Sequence, residues 1–375
     1  MFENVKTMCQ GFLKMGVPYF DVVIYKDGKE LFRYMDGYVD VEKKIPPTGK
    51  ELINVYSSSK PVTVTAALQL WEKGLFDLND ELSKYMPEYK NITVQTENGA
   101  VPAKNPMLIW HLFTMTAGFS YSTEGGWLEA LKERTGGRCP TREVARALAN
   151  VPLLFEPGTD YHYSLAHDVL AALVEVISGQ NFDDYVKENI FKPMGMTRST
   201  FLMPYDQMAK EVSIYYDYVK EDKSLRVHTN QHYRFGEDHA SGGAGLVTCV
   251  DDYIKFAEGL RTYKLLKKET IEMIDKNWLT PEQHEKFGHK VNYYYGLGMR
   301  SAKPGTPRAD FGWGGAAGTM MHVDIPHGIT VFYSQHLMAS PNHAMRTRVY
   351  EALLKDLGYE LEVEFPAAIE NEITY

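Results

Sequence analysis

Residues Phe2 to Met15 read as an amphipathic helix, with apolar positions returning at helical steps. The period then changes: Tyr19 to Val39 contains the β-rich runs VVIY and LFRYMDGYV on either side of Asp27-Gly28, a dipeptide suited to a two-residue hairpin turn. From Val55 to Gly74 the chain returns to helix. Three serines and Pro61 mark its start, Gly74 its stop, and Val64, Ala67, Leu68 and Trp71 give it one buried face. This is expected to be a central helix with Ser57 and Lys60 on a shared face.

Beyond it, Leu75 to Lys90 reads as short helical turns punctuated by Pro87, and Thr93 to Asn105 as a polar loop or small hairpin. Pro106 to Met196 is mostly helical, most clearly over Val169 to Ile177 and Asp183 to Phe191. Lys210 to Tyr233 has no firm period. Ser241 to Gly245 is a glycine-rich turn, after which Thr248 and Asp251 resemble a capping box opening a helix from Asp252 to Arg261. From Tyr293 the runs YYYGLGMRS, DFGWGGAAGTMMHVDI and GITVFYSQ read as strands, with a turn at Pro326-His327-Gly328, and Met345 to Leu357 closes as a helix. Strands therefore sit at both chain ends and helices between them. This pattern predicts an α+β fold, an α/β sandwich: one antiparallel sheet drawn from residues 1–56 and 293–375, flanked by terminal helices, with a mostly helical domain over 57–292 inserted and the active site at the interface.

Composition narrows the function without naming it. The 375 residues are 44% hydrophobic and 24% charged, as in an ordinary soluble protein, and no apolar run approaches the roughly 18 residues of a membrane span. A net charge of -9 without a basic block argues against nucleic-acid or membrane partners. The N-terminus lacks a basic region followed by an apolar run and cleavage site, so the expected compartment is the cytoplasm. Cys9, Cys139 and Cys249 are too scattered for a disulfide framework or metal knot and read as packing residues. No metal or nucleotide motif with its proper context is present, and neither metal nor cofactor is expected.

Two readings of Ser57 and Lys60 stand on spacing alone. One is a capping serine beside a solvated lysine; the other is a nucleophile beside its base. No serine sits in the G-x-S-x-G frame of the α/β hydrolases. Of the histidines, His167 and His239 are the candidates for a dispersed triad, against a packed or solvated role for each.

Several stretches, in order, resemble the serine β-lactamase and penicillin-binding protein superfamily, particularly its class C branch and the family VIII carboxylesterases. They are YSSSKPVT at Tyr56, HLFTMTAGFSY at His111, FEPGTDYHYSLAHDVL at Phe155, FKPMGMTRSTF at Phe191, SGGAGLVTCVDDYIKF at Ser241, YYGLGMRS at Tyr294 and FGWGGAAGTMMHVD at Phe311. The resemblance implies Ser57 as acylated nucleophile, with Lys60 and Tyr163 as its base network, either of the two being the base. It implies an oxyanion hole from the N–H groups of Ser57 and Ala316, with Trp313, Gly314 and Gly315 beside the substrate. Two positions depart from the β-lactamases: Leu165 replaces the asparagine of Tyr-x-Asn, and Trp313, a substrate wall or plain packing, replaces a lysine. Losing these polar groups favours a neutral ester over a carboxylate-bearing amide. The expected function is hydrolysis of carboxylic esters, with β-lactamase, D-amino-acid peptidase, acyltransferase or a non-turnover penicillin-binding protein as alternatives. The substrate is a small ester or amide, and the 13% aromatic content, with Tyr121, Trp127, Tyr233 and Tyr294 in stretches near the cleft, suits an apolar pocket.

Overall fold

The computed structural model describes residues 2–228 and 233–366. Its centre is a seven-stranded antiparallel sheet. The spatial order is Lys29–Gly37, Tyr19–Lys26, Ile329–Ser334, Met320–Asp324, Asp310–Gly312, Arg300–Ala302 and Tyr293–Tyr295. The N-terminal hairpin turns at Asp27 and Gly28, both at positive φ (51° and 81°), the backbone that matches the right-handed twist of paired strands. Strand Tyr19–Lys26 then pairs with Ile329–Ser334 in the register Val22 to Tyr333, Val23 to Phe332 and Ile24 to Val331.

That register sorts side chains by the two-residue period of a strand. Val22, Ile24, Val331 and Tyr333 face a core made with the terminal helices Glu3–Lys14 and Arg348–Asp356. Val23, Met321, Val323 and Phe332 face the opposite core, which contains Tyr253, Phe256 and Ala257 of helix Val250–Arg261. The terminal helices are also joined by Asp356, which accepts hydrogen bonds from Asn4 and the Val5 N–H. With helices on both faces, the inner strands Tyr19–Lys26, Met320–Asp324 and Ile329–Ser334 are buried along nearly their whole length, whereas no residue of the edge strand Lys29–Gly37 is buried.

Helix Lys60–Glu72 lies within the larger core and packs against Ala166–Ser178. Lys60 through Leu68 are all buried, so it is enclosed on every side rather than along the one stripe its periodicity predicts. Two expectations for local caps are corrected. The serines of YSSS form a separate 3-10 turn, Tyr56–Ser59, and none caps the helix with its side chain. Thr248 lies in a short strand paired with Ile53–Asn54, its hydroxyl bonded to Ser199, and the following helix begins at Val250 without a side-chain cap, so the Thr248/Asp251 capping box is not formed. The segment Lys210 to Tyr233, which has no firm period, contains a hairpin, Tyr216–Val219 with Ser224–Val227, which pairs with Leu337–Met338 as a third strand; positions 229–232 of the segment lie outside the described residues. Thr93–Thr96 and Gly99–Pro102 form the small hairpin. All three cysteines are buried free thiols. No helix among the described residues is long and apolar enough to cross a membrane.

Candidate active site

The turn that carries Ser57 is held open by backbone geometry. Tyr56, immediately before it, adopts φ +46°, a left-handed conformation that costs an aromatic residue about 1–2 kcal/mol. The Tyr56 ring packs against Tyr215 and Tyr233. Its neighbours Ser58 and Ser59 turn inward: Ser58 Oγ pairs with Thr319 Oγ1 at 2.8 Å, and Ser59 Oγ accepts the Leu246 N–H at 2.9 Å. Both are fully buried, whereas Ser57 opens onto a cavity of about 330 Å³.

Lys60, one residue into the helix, is fully buried. Its Nζ lies 3.2 Å from Ser57 Oγ, 2.9 Å from the Tyr121 hydroxyl and 2.7 Å from the Gly243 carbonyl oxygen. Those three partners match the three donors of an ammonium. Two of the three are hydroxyls, which can donate as well as accept. The solvated-lysine reading is thereby excluded.

The glycine-rich turn supplies the carbonyl. A Cβ at Gly243 would lie 2.6 Å from Asp168 Oδ2, and one at Gly242 would lie 2.3 Å from the His167 carbonyl oxygen, so only glycine lets this turn reach between the two helices. Asp168 is buried beneath it, accepting from Ser241 Oγ at 2.6 Å and lying 3.3 Å from His239 Nε2. Burial alone would raise its carboxyl, but contact with His239 and Ser241 and the charge on Lys60 hold it below the ordinary value. His167, pushed down to about 3 by burial and by Lys60, sits 3.3 Å from the Phe113 carbonyl oxygen. Neither histidine lines the cavity that holds Ser57.

Tyr163 does line it, with its ring 4.6 Å from Lys60 Nζ and its hydroxyl accepting from Trp313 Nε1 at 3.1 Å. Tyr121 packs beside Tyr163, and burial pushes its hydroxyl well above the ordinary value, so it is a neutral phenol. Trp313, Gly314, Gly315 and Ala316 form the facing wall, completed by Tyr161, Phe287 and Met320. The two glycines answer to the protein's own chain. A Cβ at Gly315 would stand 2.0 Å from the Val55 carbonyl oxygen, and one at Gly314 would stand 2.7 Å from Met320 Cε. Thr319 adds a further tie, from its Oγ1 to the Val55 carbonyl oxygen at 3.3 Å. The end of this inner strand and the turn that carries Ser57 are thus packed backbone to backbone.

Ser57, Lys60, Tyr163, Trp313, Gly314, Gly315 and Ala316 come together here, and Leu165 does not. It is fully buried in the main core at the head of the Ala166–Ser178 helix and is not among the residues lining the cavity, because its apolar side chain packs inward. Sequence reasoning placed Tyr121 only among aromatics near the cleft and missed Gly243 and Asp168 altogether. Their signal was faint: a tyrosine ending HLFTMTAGFSY, a glycine run without a phosphate frame, and an acid in the first turn of a helix. A larger, more polar hollow of about 720 Å³, between 288–293 and the C-terminal helix, holds none of the residues predicted for the site.

A serine on the turn before a buried helix, a lysine three residues on, a tyrosine from the helical region and a glycine pair just beyond an inner strand of the sheet come together around one cavity, an arrangement that can serve acyl transfer to a serine. The chain belongs to the Beta-lactamase family, whose profile matches residues 10–355. It is 26% identical over 338 residues to Esterase EstB of Burkholderia gladioli, covering 82% of this chain and 83% of that protein. It is 25% identical over 288 residues to ML-236A carboxylate methylbutanoyltransferase mlcH of Penicillium citrinum, covering 73% and 68%. Among solved structures, EstCE1, a hydrolase with promiscuous acyltransferase activity, superposes with a TM-score of 0.76 over 94% of this chain and 97% of that chain at 22% identity, a likeness of fold.

Proposed function

We propose that the protein cleaves carboxylic esters through an acyl-enzyme on Ser57. The observation that carries this reading is Lys60 Nζ at 3.2 Å from Ser57 Oγ, buried and held by Tyr121 and Gly243. Ser57 Oγ attacks the ester carbonyl carbon while its proton passes into the Lys60–Tyr163 network. The resulting oxyanion is met by the N–H groups of Ser57 and Ala316. Collapse breaks the acyl carbon–oxygen bond, the departing alcohol takes the proton, and water then repeats the attack to release the acid.

The aromatic lining of Tyr161, Phe287 and Trp313 suits a neutral acyl or alcohol group. Similarity to an esterase supports hydrolysis, and similarity to a methylbutanoyltransferase supports a second reading, in which an alcohol replaces water as acceptor. Incubation with a fluorophosphonate followed by peptide mass spectrometry is expected to place the adduct on Ser57 and to leave the buried Ser58 and Ser59 unmodified. A Ser57→Ala variant that kept full activity on p-nitrophenyl esters would end this reading. Adding a competing alcohol to the same assay separates transfer from hydrolysis by the new ester formed.

A further inference from the structure

Arg346 is a buried cation that the mechanism above leaves idle. Its side chain is 2% exposed, lines the cavity that holds Ser57, and among the described residues is bonded to His343 and Gly315 rather than to a carboxylate. Burial lowers its guanidinium to about 10, which still leaves it charged at neutral pH. An unpaired buried charge is costly unless strong hydrogen bonds satisfy it. Here Nη1 donates to the Gly315 carbonyl oxygen at 2.6 Å, and the rest of the fork is held by the His343 ring and the His343 carbonyl.

The Gly315 carbonyl and the Ala316 N–H are two ends of one planar peptide and point in opposite directions. Fixing the oxygen therefore fixes where the N–H aims. Drawing electron density toward that oxygen also makes the N–H a stronger donor, as in any polarised hydrogen-bond chain. The same oxygen accepts the Gly318 N–H at 3.0 Å, and the preceding peptide is tied by the Gly315 N–H, which donates to the Thr319 carbonyl at 2.9 Å, so the peptide is held at its oxygen and through its neighbour. Of these clamps only Arg346 carries a charge, and charge-assisted hydrogen bonds are the strong ones.

We propose that Arg346 is a positioning residue for the oxyanion hole, acting through the Gly315–Ala316 peptide to aim and polarise the Ala316 N–H. This rests on the acyl-enzyme reading above. It concerns a tetrahedral oxyanion rather than the ground-state ester, so its effect falls on turnover and on transition-state mimics more than on substrate binding.

The test compares native protein with Arg346→Gln and Arg346→Lys on the neutral substrate p-nitrophenyl butyrate, alongside thermal melts. A second measurement is affinity for an alkylboronic acid, whose tetrahedral serine adduct places an oxygen in the hole. For Arg346→Gln, kcat is expected to fall about tenfold to a hundredfold, less than for outright loss of an oxyanion donor, and boronate affinity to fall by a similar factor. KM should stay within about threefold, and Arg346→Lys should lose less of both. If Arg346→Gln does not fold, Arg346→Lys decides, with an expected fall of up to about tenfold in both quantities. A folded variant with native kcat, or one whose kcat falls while boronate affinity holds, would overturn the proposal. So would a loss confined to carboxylate-bearing esters, which would make Arg346 a substrate contact. Fluorophosphonate labelling keeps the two failures apart: if native protein is not labelled at Ser57, the acyl-enzyme reading itself has failed.

Discussion

Trp313 donates its only indole N–H to the hydroxyl of Tyr163 at 3.1 Å, which fixes the tyrosine from the sheet side while Lys60 lies over its ring. A phenol that accepts from an indole keeps its own proton free to move toward the serine or the leaving group. Trp313 therefore does more than line the cavity. Trp313→Phe keeps the apolar surface but removes one neutral hydrogen bond, of about 0.5–1.5 kcal/mol, so kcat on a short ester should fall roughly two- to tenfold. A variant with unchanged kcat and a raised KM would return the residue to the wall role alone.

Lys60 and Tyr163 should behave as one unit with Ser57. Lys60→Ala and Tyr163→Phe are each expected to lower kcat by about two to four orders of magnitude with the fold intact. The double variant should lose little more than the worse single one, because a broken proton path cannot be broken twice. Tyr121→Phe should be milder, since Lys60 keeps Gly243 and Ser57 as partners. A double variant whose loss equals the product of the single losses would mean that the residues act independently.

Much of this was legible in the chain. Period and turn chemistry located the hairpin at Asp27-Gly28, the terminal helices and the C-terminal strands, because those elements bury side chains at regular intervals. The illegible parts are those that depend on long-range backbone approach. The Ser57 turn is set by strain at Tyr56 and by contact between Val55 and Gly315, 260 positions apart. Gly243 acts through a carbonyl, which no side-chain pattern reveals, and Leu165 faces the core where a one-dimensional frame places it beside the substrate.

Buried histidines give the fold a pH limit. His111 Nδ1 accepts the Leu108 N–H at 3.1 Å and His336 Nε2 accepts the Asn54 N–H at 3.3 Å, both of which need a neutral ring nitrogen. Burial pushes each down to about 4, and burial with the nearby Arg300 does the same to His322. The unfolded chain takes up these protons below its ordinary value near 6.5, whereas the folded chain refuses them until about 4. Their contribution is therefore fully present above pH 6.5 and lost as pH falls from there toward 4, at up to about 1.4 kcal/mol per pH unit for each ring. Melts between pH 7 and 5 should show the midpoint falling, with His111→Gln, which keeps an acceptor but does not titrate, giving a shallower slope. A midpoint independent of pH over that interval would contradict the assignment.

Substrate choice is the last test, and it turns on which donors in the cavity are already committed. A β-lactam carries a carboxylate that must find a partner in the cleft. Trp313 has one N–H and gives it to Tyr163, while Arg346 is engaged by Gly315 and His343. Leu165 is enclosed in the core and cannot replace the missing amide. Each unmade contact costs about 1–3 kcal/mol, more for a charged group, whereas a short neutral ester leaves nothing comparable unpaired. The kcat/KM for p-nitrophenyl butyrate should therefore exceed that for a chromogenic cephalosporin by at least about tenfold to a hundredfold. Trp313→Lys should narrow the gap from both sides, offering the carboxylate a cation while removing the Tyr163 hydrogen bond that ester turnover uses. Leu165→Asn should instead lower the melting temperature, since it buries an amide without a partner, and leave the cephalosporin rate where it was. An unmodified protein that hydrolysed the cephalosporin as efficiently as its best ester would show that these commitments do not set specificity, and a β-lactamase would then be the better description.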